Sequence, residues 1–313
     1  MRARTDSDLS GAGATIHLHL GAHKTATTYI QAQLGHNAGT LAADGVAYVP
    51  MRQFRSWRRS LLRIGARLLG PSHSKFDRRL RQWNQGRLET CVISDENMIG
   101  TCGDIVSSGK LYPKLRAKLG AISGMLSAHP VRLFLSIRCY ASFYAAAYCE
   151  ALRYGTGSSA ETFKQRLDPD RRRWRDVLAD IAELFPASAI VVWPYENFRQ
   201  SEAEIFDALA GKEIASKLRL SGEVLRPSLS QATVEEAQSL GRRFGWVVAG
   251  HLVPILEWRN SGNPPFDPWT NAERTELQRL YAGDLDEIGR NSRYRMIAGD
   301  PDLALSSSAG RKV

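Results

Sequence analysis

No uninterrupted apolar run approaches the roughly 20 residues a membrane-spanning helix needs, so an integral membrane protein is not expected. The first fourteen residues are small and polar, with no apolar stretch before a cleavage site, so no secretory leader is expected. Cysteine is scarce. Cys91, Cys102, Cys139 and Cys149 show no C-x-x-C spacing, which disfavours a disulfide frame or a zinc site and points to reduced thiols in the cytoplasm. No metal-ligand constellation and no internal repeat stand out.

Acids are nearly missing from one segment. Between residues 51 and 87 there are eleven Lys/Arg and a single acid, Asp77. The whole chain has 42 basic and 32 acidic residues, so the remainder balances at 31 of each sign and this segment carries the entire net charge of +10. On a helical wheel Phe54, Trp57, Leu61, Ile64 and Leu68 fall on one side, opposite Arg55, Arg59, Arg63 and Arg67. A second basic helix is expected over 74–83. Three readings stay open: a solvated face covering the core, an acceptor-site lid in which these four arginines hold an anionic substrate, or a membrane-surface helix over 54–69.

What organises the chain is the stretch 15–34, TIHLHLGAHKTATTYIQAQL. An apolar strand over 15–20 runs into a polar turn at Gly21 and restarts as a helix at Thr27. The first N–H groups of such a helix lack intrahelical partners and carry the positive end of its dipole, so the turn is an anion cradle. Lys24, Thr25, Thr27 and Thr28 suit a phosphate or sulfate guest. The nucleotide-binding pattern G-x-x-x-x-G-K-[ST] is not met, because His23 stands where glycine should precede Lys24. His17 and His19 share the other face of the strand and read as hydrogen-bonded core histidines.

Further strands are expected over 45–50, 90–94, 131–137 and 189–193. Helical patterns fall at 111–126, 140–154, 171–184, 202–209, 231–248 and 271–290. The expected fold is α/β: a three-layer, P-loop-like arrangement around a five-stranded parallel sheet, with a helical C-terminal third. Residues 1–13 read as a disordered arm, 14–298 as one domain with 51–87 as a basic insertion, and 299–313 as a disordered tail. Acids and arginine cluster at expected strand ends, where α/β sheets bind ligands: Asp95 and Glu96 after the third strand, Arg138 after the fourth.

The K-T-A-T-T run at 24–28, the Ser94-Asp95-Glu96 strand end, the Ile137-Arg138 strand end with its aromatic helix, and Tyr195-Glu196-Asn197-Phe198 after the fifth strand come in an order. That order resembles the PAPS-dependent sulfotransferases, in particular the bacterial group related to carbohydrate sulfotransferases (PAPS is 3′-phosphoadenosine 5′-phosphosulfate). The resemblance implies sulfuryl transfer from PAPS to a hydroxyl or amine of a glycan, glycolipid or small metabolite, without a metal. It implies that Gly21, Ala22, His23, Lys24, Thr25, Ala26, Thr27 and Thr28 cradle the 5′-phosphosulfate, with Lys24 at the leaving oxygen. Arg138 would grip the 3′-phosphate. The serine expected eight residues later is Ala146, and Ser142 is the substitute. Glu96 is the first choice of base, with Asp95 and His23 behind it. Ala26 replaces a common glycine, and its methyl is tolerable provided φ stays negative. The Tyr195–Phe198 segment reads as structural.

Two other classes remain open: a P-loop small-molecule kinase, and a non-catalytic polyanion- or nucleic-acid-binding protein built on 51–87, with no sequence-specific nucleic-acid recognition expected. Cytoplasmic placement, peripheral at the membrane if 54–69 contacts it, completes the expectation.

Overall fold

The computed structural model describes residues 14–63, 76, 78, 80, 89–211, 214–220 and 228–298. The expected arm at 1–13, the tail at 299–313 and most of the helix expected over 74–83 lie outside these residues.

Six strands make one all-parallel sheet: β1 (Thr15–His19), β2 (Val46–Val49), β3 (Thr90–Ser94), β4 (Val131–Ile137), β5 (Ala189–Pro194) and β6 (Tyr294–Met296), in the order β2-β3-β1-β4-β5-β6. The expectation of five strands is thereby corrected. β6 is three residues long, lies at an edge and follows a helix almost directly, so it has no alternation of its own to read; pairing with β5 creates it.

Helices follow or precede nearly every strand. They are α1 (Thr27–His36), α2 (Ala38–Ala43), α3 (Met51–Arg63), α4 (Cys102–Ser108), α5 (Leu115–Leu126), α6 (Tyr140–Arg153), α7 (Ala160–Arg166) and α8 (Trp174–Leu184). Towards the C-terminus come α9 (Glu202–Ala210), α10 (Gln231–Phe244), α11 (Trp246–Arg259) and α12 (Asn271–Arg290). The single helix expected over 231–248 is broken at Gly245, whose φ of 89° is left-handed; there α10 ends and α11 begins. The helix expected from 111 starts only at Leu115, after Tyr112 takes a φ of 45°.

The strand period of two sends side chains to two separate apolar cores. Ile16, Leu18, Ile93, Leu133, Leu135 and Val192 join one core with α5, α6 and α8. Val92, Phe134, Val191 and Trp193 join another with α1 and α9. On that second face His17 tilts against Phe134 at 5.2 Å and His19 stacks on Trp193 at 5.7 Å. His17 Nδ1 lies 2.6 Å from the Leu209 carbonyl and His19 Nδ1 lies 2.8 Å from Ser94 Oγ. Burial lowers their pKa values to about 4 and about 3, so both are neutral core histidines near neutral pH.

α6 is buried around almost its whole circumference. Tyr140 and Trp174 stack at 6.3 Å, and Tyr140 donates to the fully buried carboxylate of Asp284 on α12. Asp284 also faces Arg173 Nε at 2.9 Å and accepts from the Trp174 amide at 3.2 Å. One buried acid thus ties α6, α8 and α12 together, with charge and hydrogen bonds compensating its burial.

The strand order positions the site. The chain moves outward from β1 to β2, returns through β3, then crosses over β1 to β4. The crevice at the carboxyl ends of β1, β3 and β4 is the switch point at which open parallel sheets bind ligands.

Candidate functional site

Where β1 gives way to α1 the loop is conformationally strained. Gly21 has φ 43°, and a Cβ there would come within 2.4 Å of Thr27 Oγ1, so the position requires glycine. Lys24 (φ 62°) and Ala26 (φ 61°) are also left-handed. The condition under which the Ala26 methyl was tolerable, a negative φ, does not hold. A non-glycine residue in this region costs about 1 kcal/mol or more. Thr25, buried, donates to the Ala22 carbonyl at 2.6 Å, and Thr27 donates to the same oxygen at 3.3 Å. These threonines lace the loop together from within.

Ala26 is the N-cap of α1 and supplies no side-chain cap, while Thr27, Thr28 and Tyr29 of the first turn line a cavity of about 1020 Å³. Uncapped N–H groups at a helix start, facing a cavity, suit an anion. His23, Lys24 and Ala26 also line it, whereas Gly21, Ala22 and Thr25 sit behind the loop.

Lys24 extends into the cavity and places Nζ 3.4 Å from Glu150 Oε2 on α6. Burial lowers its pKa; the Glu150 carboxylate pulls it back up and Arg153 pushes it down. Glu150 accepts from Arg153 at 3.2 Å, and Arg153 in turn pairs with Glu257 of α11. The result is an alternating run of charges, Lys24–Glu150–Arg153–Glu257. Its inner member belongs to the main cavity and its outer members to a smaller one of about 310 Å³ lined by Glu150, Arg153, Tyr154 and Glu257.

Arg138, at the end of β4, is fixed from three sides. NH1 donates to the Lys24 carbonyl at 2.5 Å, Nε donates to Ser142 Oγ at 2.9 Å, and the guanidinium lies 4.6 Å from the Tyr195 ring centroid. Ser142 donates its own proton to the Cys139 carbonyl at 3.1 Å, so its hydroxyl orients the arginine. Ala146 lines the cavity one turn further on. Glu196 accepts from the Cys139 amide at 2.9 Å and from Tyr281 at 2.7 Å, a structural tie across the start of α6.

The three base candidates occupy different surroundings. Asp95, fully buried, receives both Arg55 Nε at 2.8 Å and NH2 at 2.6 Å, and it caps the following turn through the Asn97 amide at 2.9 Å. His23 is wedged between Tyr112 Oη, 3.1 Å from Nδ1, and the Asn97 side-chain amide, 3.0 Å from Nε2, and burial lowers its pKa. Glu96 is half-buried, lines the cavity and meets Gln31 Nε2 of α1 at 3.3 Å.

Arg55 points inward to Asp95, away from any acceptor-gripping row, while Arg59 is exposed on α3. The Arg63 side chain and all of Arg67 lie outside the described residues, as do 64–69 of the expected membrane-surface helix. Phe54 and Trp57 of α3 are buried, and Trp57 meets Phe76 edge-on at 6.2 Å.

Sequence reasoning missed Glu150, Gln31, Arg199 and the wall formed by Phe266 and Trp269, all but Gln31 lining the cavity. Glu150 had a visible signal: one carboxylate inside the otherwise apolar run AAAYCEAL of a buried helix. A buried acid of that kind needs a cation, and Arg153 at 3.2 Å and the loop lysine at 3.4 Å both supply one. The wall had none, because it comes from a coil between α11 and α12. Among the described residues no group of three or more His, Cys, Asp and Glu is placed to hold a metal, and the four cysteines are free. Comparison with protein-family models, curated proteins and solved structures gave no match.

Proposed function

We propose that the chain is a PAPS-dependent sulfotransferase, with a three-layer, P-loop-like arrangement around its parallel sheet. One observation carries this reading: Arg138 and the Lys24 loop meet through the 2.5 Å bond from the guanidinium to the Lys24 carbonyl, and both line one cavity. A donor with a 3′-phosphate and a 5′-phosphosulfate on one ribose needs two cationic grips held at a fixed distance. The uncapped start of α1, the inward Lys24 and the pre-oriented Arg138 fit such a ligand.

Sulfuryl transfer proceeds through a loose transition state with charge on the leaving oxygen, so positioning and charge stabilisation dominate. In this reading Lys24 leaves Glu150 for the leaving oxygen, and the N–H groups of Thr27 and Thr28 hold the 5′-phosphate. Arg138 takes the 3′-phosphate unaided by serine, since Ala146 has no hydroxyl and Ser142 is committed to the guanidinium. Glu96 accepts the acceptor's proton. Asp95 is a poor base while its two oxygens hold Arg55, and His23 serves to brace the loop. A glycan, glycolipid or small hydroxylated metabolite is the acceptor class.

The test is thermal unfolding with adenosine 3′,5′-bisphosphate, then a transfer assay with labelled PAPS. Stabilisation by the bisphosphate and not by ATP supports the reading. Stabilisation by magnesium ATP alone overturns it in favour of a kinase.

A further inference from the structure

α11 turns its apolar side outward. Val247, Val248, Pro254, Ile255 and Trp258 are exposed, with Trp258 at 80%, Val247 at 64% and Ile255 at 61%. At about 100° per residue they fall within one arc of about 120°, while Ala249, Gly250, Val253 and Leu256 pack inward on the other side. A surface helix ordinarily gives water its polar face, and a contiguous apolar patch of this kind marks a contact surface. The patch continues beyond α11. Exposed Phe244 ends α10, and Tyr154 follows α6 beside Gly155, whose backbone lies so close that a Cβ there would come 2.8 Å from Val247 Cα.

Basic side chains predominate around this patch, the acids at its border, Glu236 and Glu257, being paired with Arg259 and Arg153. Arg242 and Arg243 are exposed at one end, with the Arg243 guanidinium 4.9 Å from the Phe244 ring. His251 lies within the arc and Arg259 at its far end, paired with Glu236 of α10. No carboxylate belongs to the exposed arc of α11. Two copies of the chain meeting through this arc would offer the exposed Arg242 and Arg243 no carboxylate of the arc to pair with. An apolar strip with a terminal tryptophan, flanked by arginines, instead suits the boundary between anionic headgroups and acyl chains.

We infer that this face of α11 seats the protein on an anionic lipid surface. Docking stands apart from the sulfotransferase reading; Tyr154, at the border of the patch, also lines the smaller cavity with Glu150. This surface is distinct from the basic segment 51–87.

The experiment uses the full chain with vesicles of phosphatidylcholine mixed with phosphatidylglycerol, and with phosphatidylcholine alone. Co-sedimentation with the mixed vesicles, weakened by salt, is expected. Brominated acyl chains should quench a fraction of the tryptophan emission that Trp258→Phe removes. The double variant Val247→Glu/Ile255→Glu should partition about tenfold or more weakly, with its unfolding temperature unchanged. If the double variant fails to fold, Trp258→Ser decides by the same measure. Undiminished partitioning of the folded variant, which would assign vesicle binding to residues 51–87, overturns the inference. So does an absence of vesicle binding, or a dimer in sedimentation velocity that the variant dissociates. Bisphosphate binding, measured in parallel, reports on the sulfotransferase reading separately.

Discussion

Glu150 holds the ammonium of Lys24 at 3.4 Å, across a buried gap between helix and loop. Burial lowers the lysine's pKa and the carboxylate opposes that fall, at the point where an anionic donor would need a positive charge. Glu150→Gln removes the influence that raises the lysine's pKa and leaves burial and Arg153 to lower it. The alkaline limb of the rate profile should therefore move to lower pH in Glu150→Gln, because Lys24 acts only when protonated. A pH–rate profile of both proteins checks the direction; an unmoved limb means Lys24 does not titrate in the reaction.

Lys24→Ala should reduce turnover by roughly 100- to 1000-fold, the range seen when one charge-stabilising donor is removed. Alanine is no worse than lysine at a φ of 62°, so the unfolding temperature should hold. Steady-state rates alongside calorimetry separate the two effects.

Ala26→Gly should stabilise the protein by up to about 1 kcal/mol, since relief of the left-handed strain outweighs the extra freedom of glycine in the unfolded chain. Urea midpoints at constant slope provide the measure. A loss of stability would mean that the methyl's packing outweighs its strain.

Removing Arg55 leaves Asp95 a fully buried carboxylate without its cation, held by the Asn97 amide. Arg55→Met should cost about 3 kcal/mol or more, and Arg59→Met, at an exposed position, less than about 0.5 kcal/mol. Equal and small losses in denaturant melts would return Arg55 to the acceptor-binding role.

His17 and His19 set a pH limit. Their folded-state pKa values, about 4 and about 3, lie below the ordinary 6.5, so between those limits the unfolded chain binds protons that the native state refuses. Stability is then lost as pH falls from about 6.5 towards 4. Each histidine contributes a loss of roughly 2 kcal/mol between pH 7 and 5. His17→Gln should flatten that slope by about half in urea titrations.

The sheet was legible wherever strands are long and buried: β4 announces itself as an apolar run, and β1 by the alternation of Ile16 and Leu18 with His17 and His19. β6 was not, since an edge strand of three residues exists only through its neighbour. The polar residues at the carboxyl ends of β1, β3 and β4 were legible as a set because strand ends are where parallel sheets present polar side chains. Their division of labour was hidden. Nothing in the spacing of Arg55 and Asp95 tells that one neutralises the other, and helical periodicity gives Arg55 and Arg59 the same side of α3. Backbone signs were equally hidden: an alanine gives no warning that its φ is positive.

The central position of β1 has a consequence for how the chain is made. β1 leaves the ribosome before both of its partners, pairing on one side with residues 90–94 and on the other with residues 131–137. Until Ile137 has emerged, the apolar face of β1 and the loop behind it have no complete lodging. The loop after β1 is encoded well before the strand end that completes it, so a nascent chain stalled before β4 carries the whole loop sequence without the arginine that braces it.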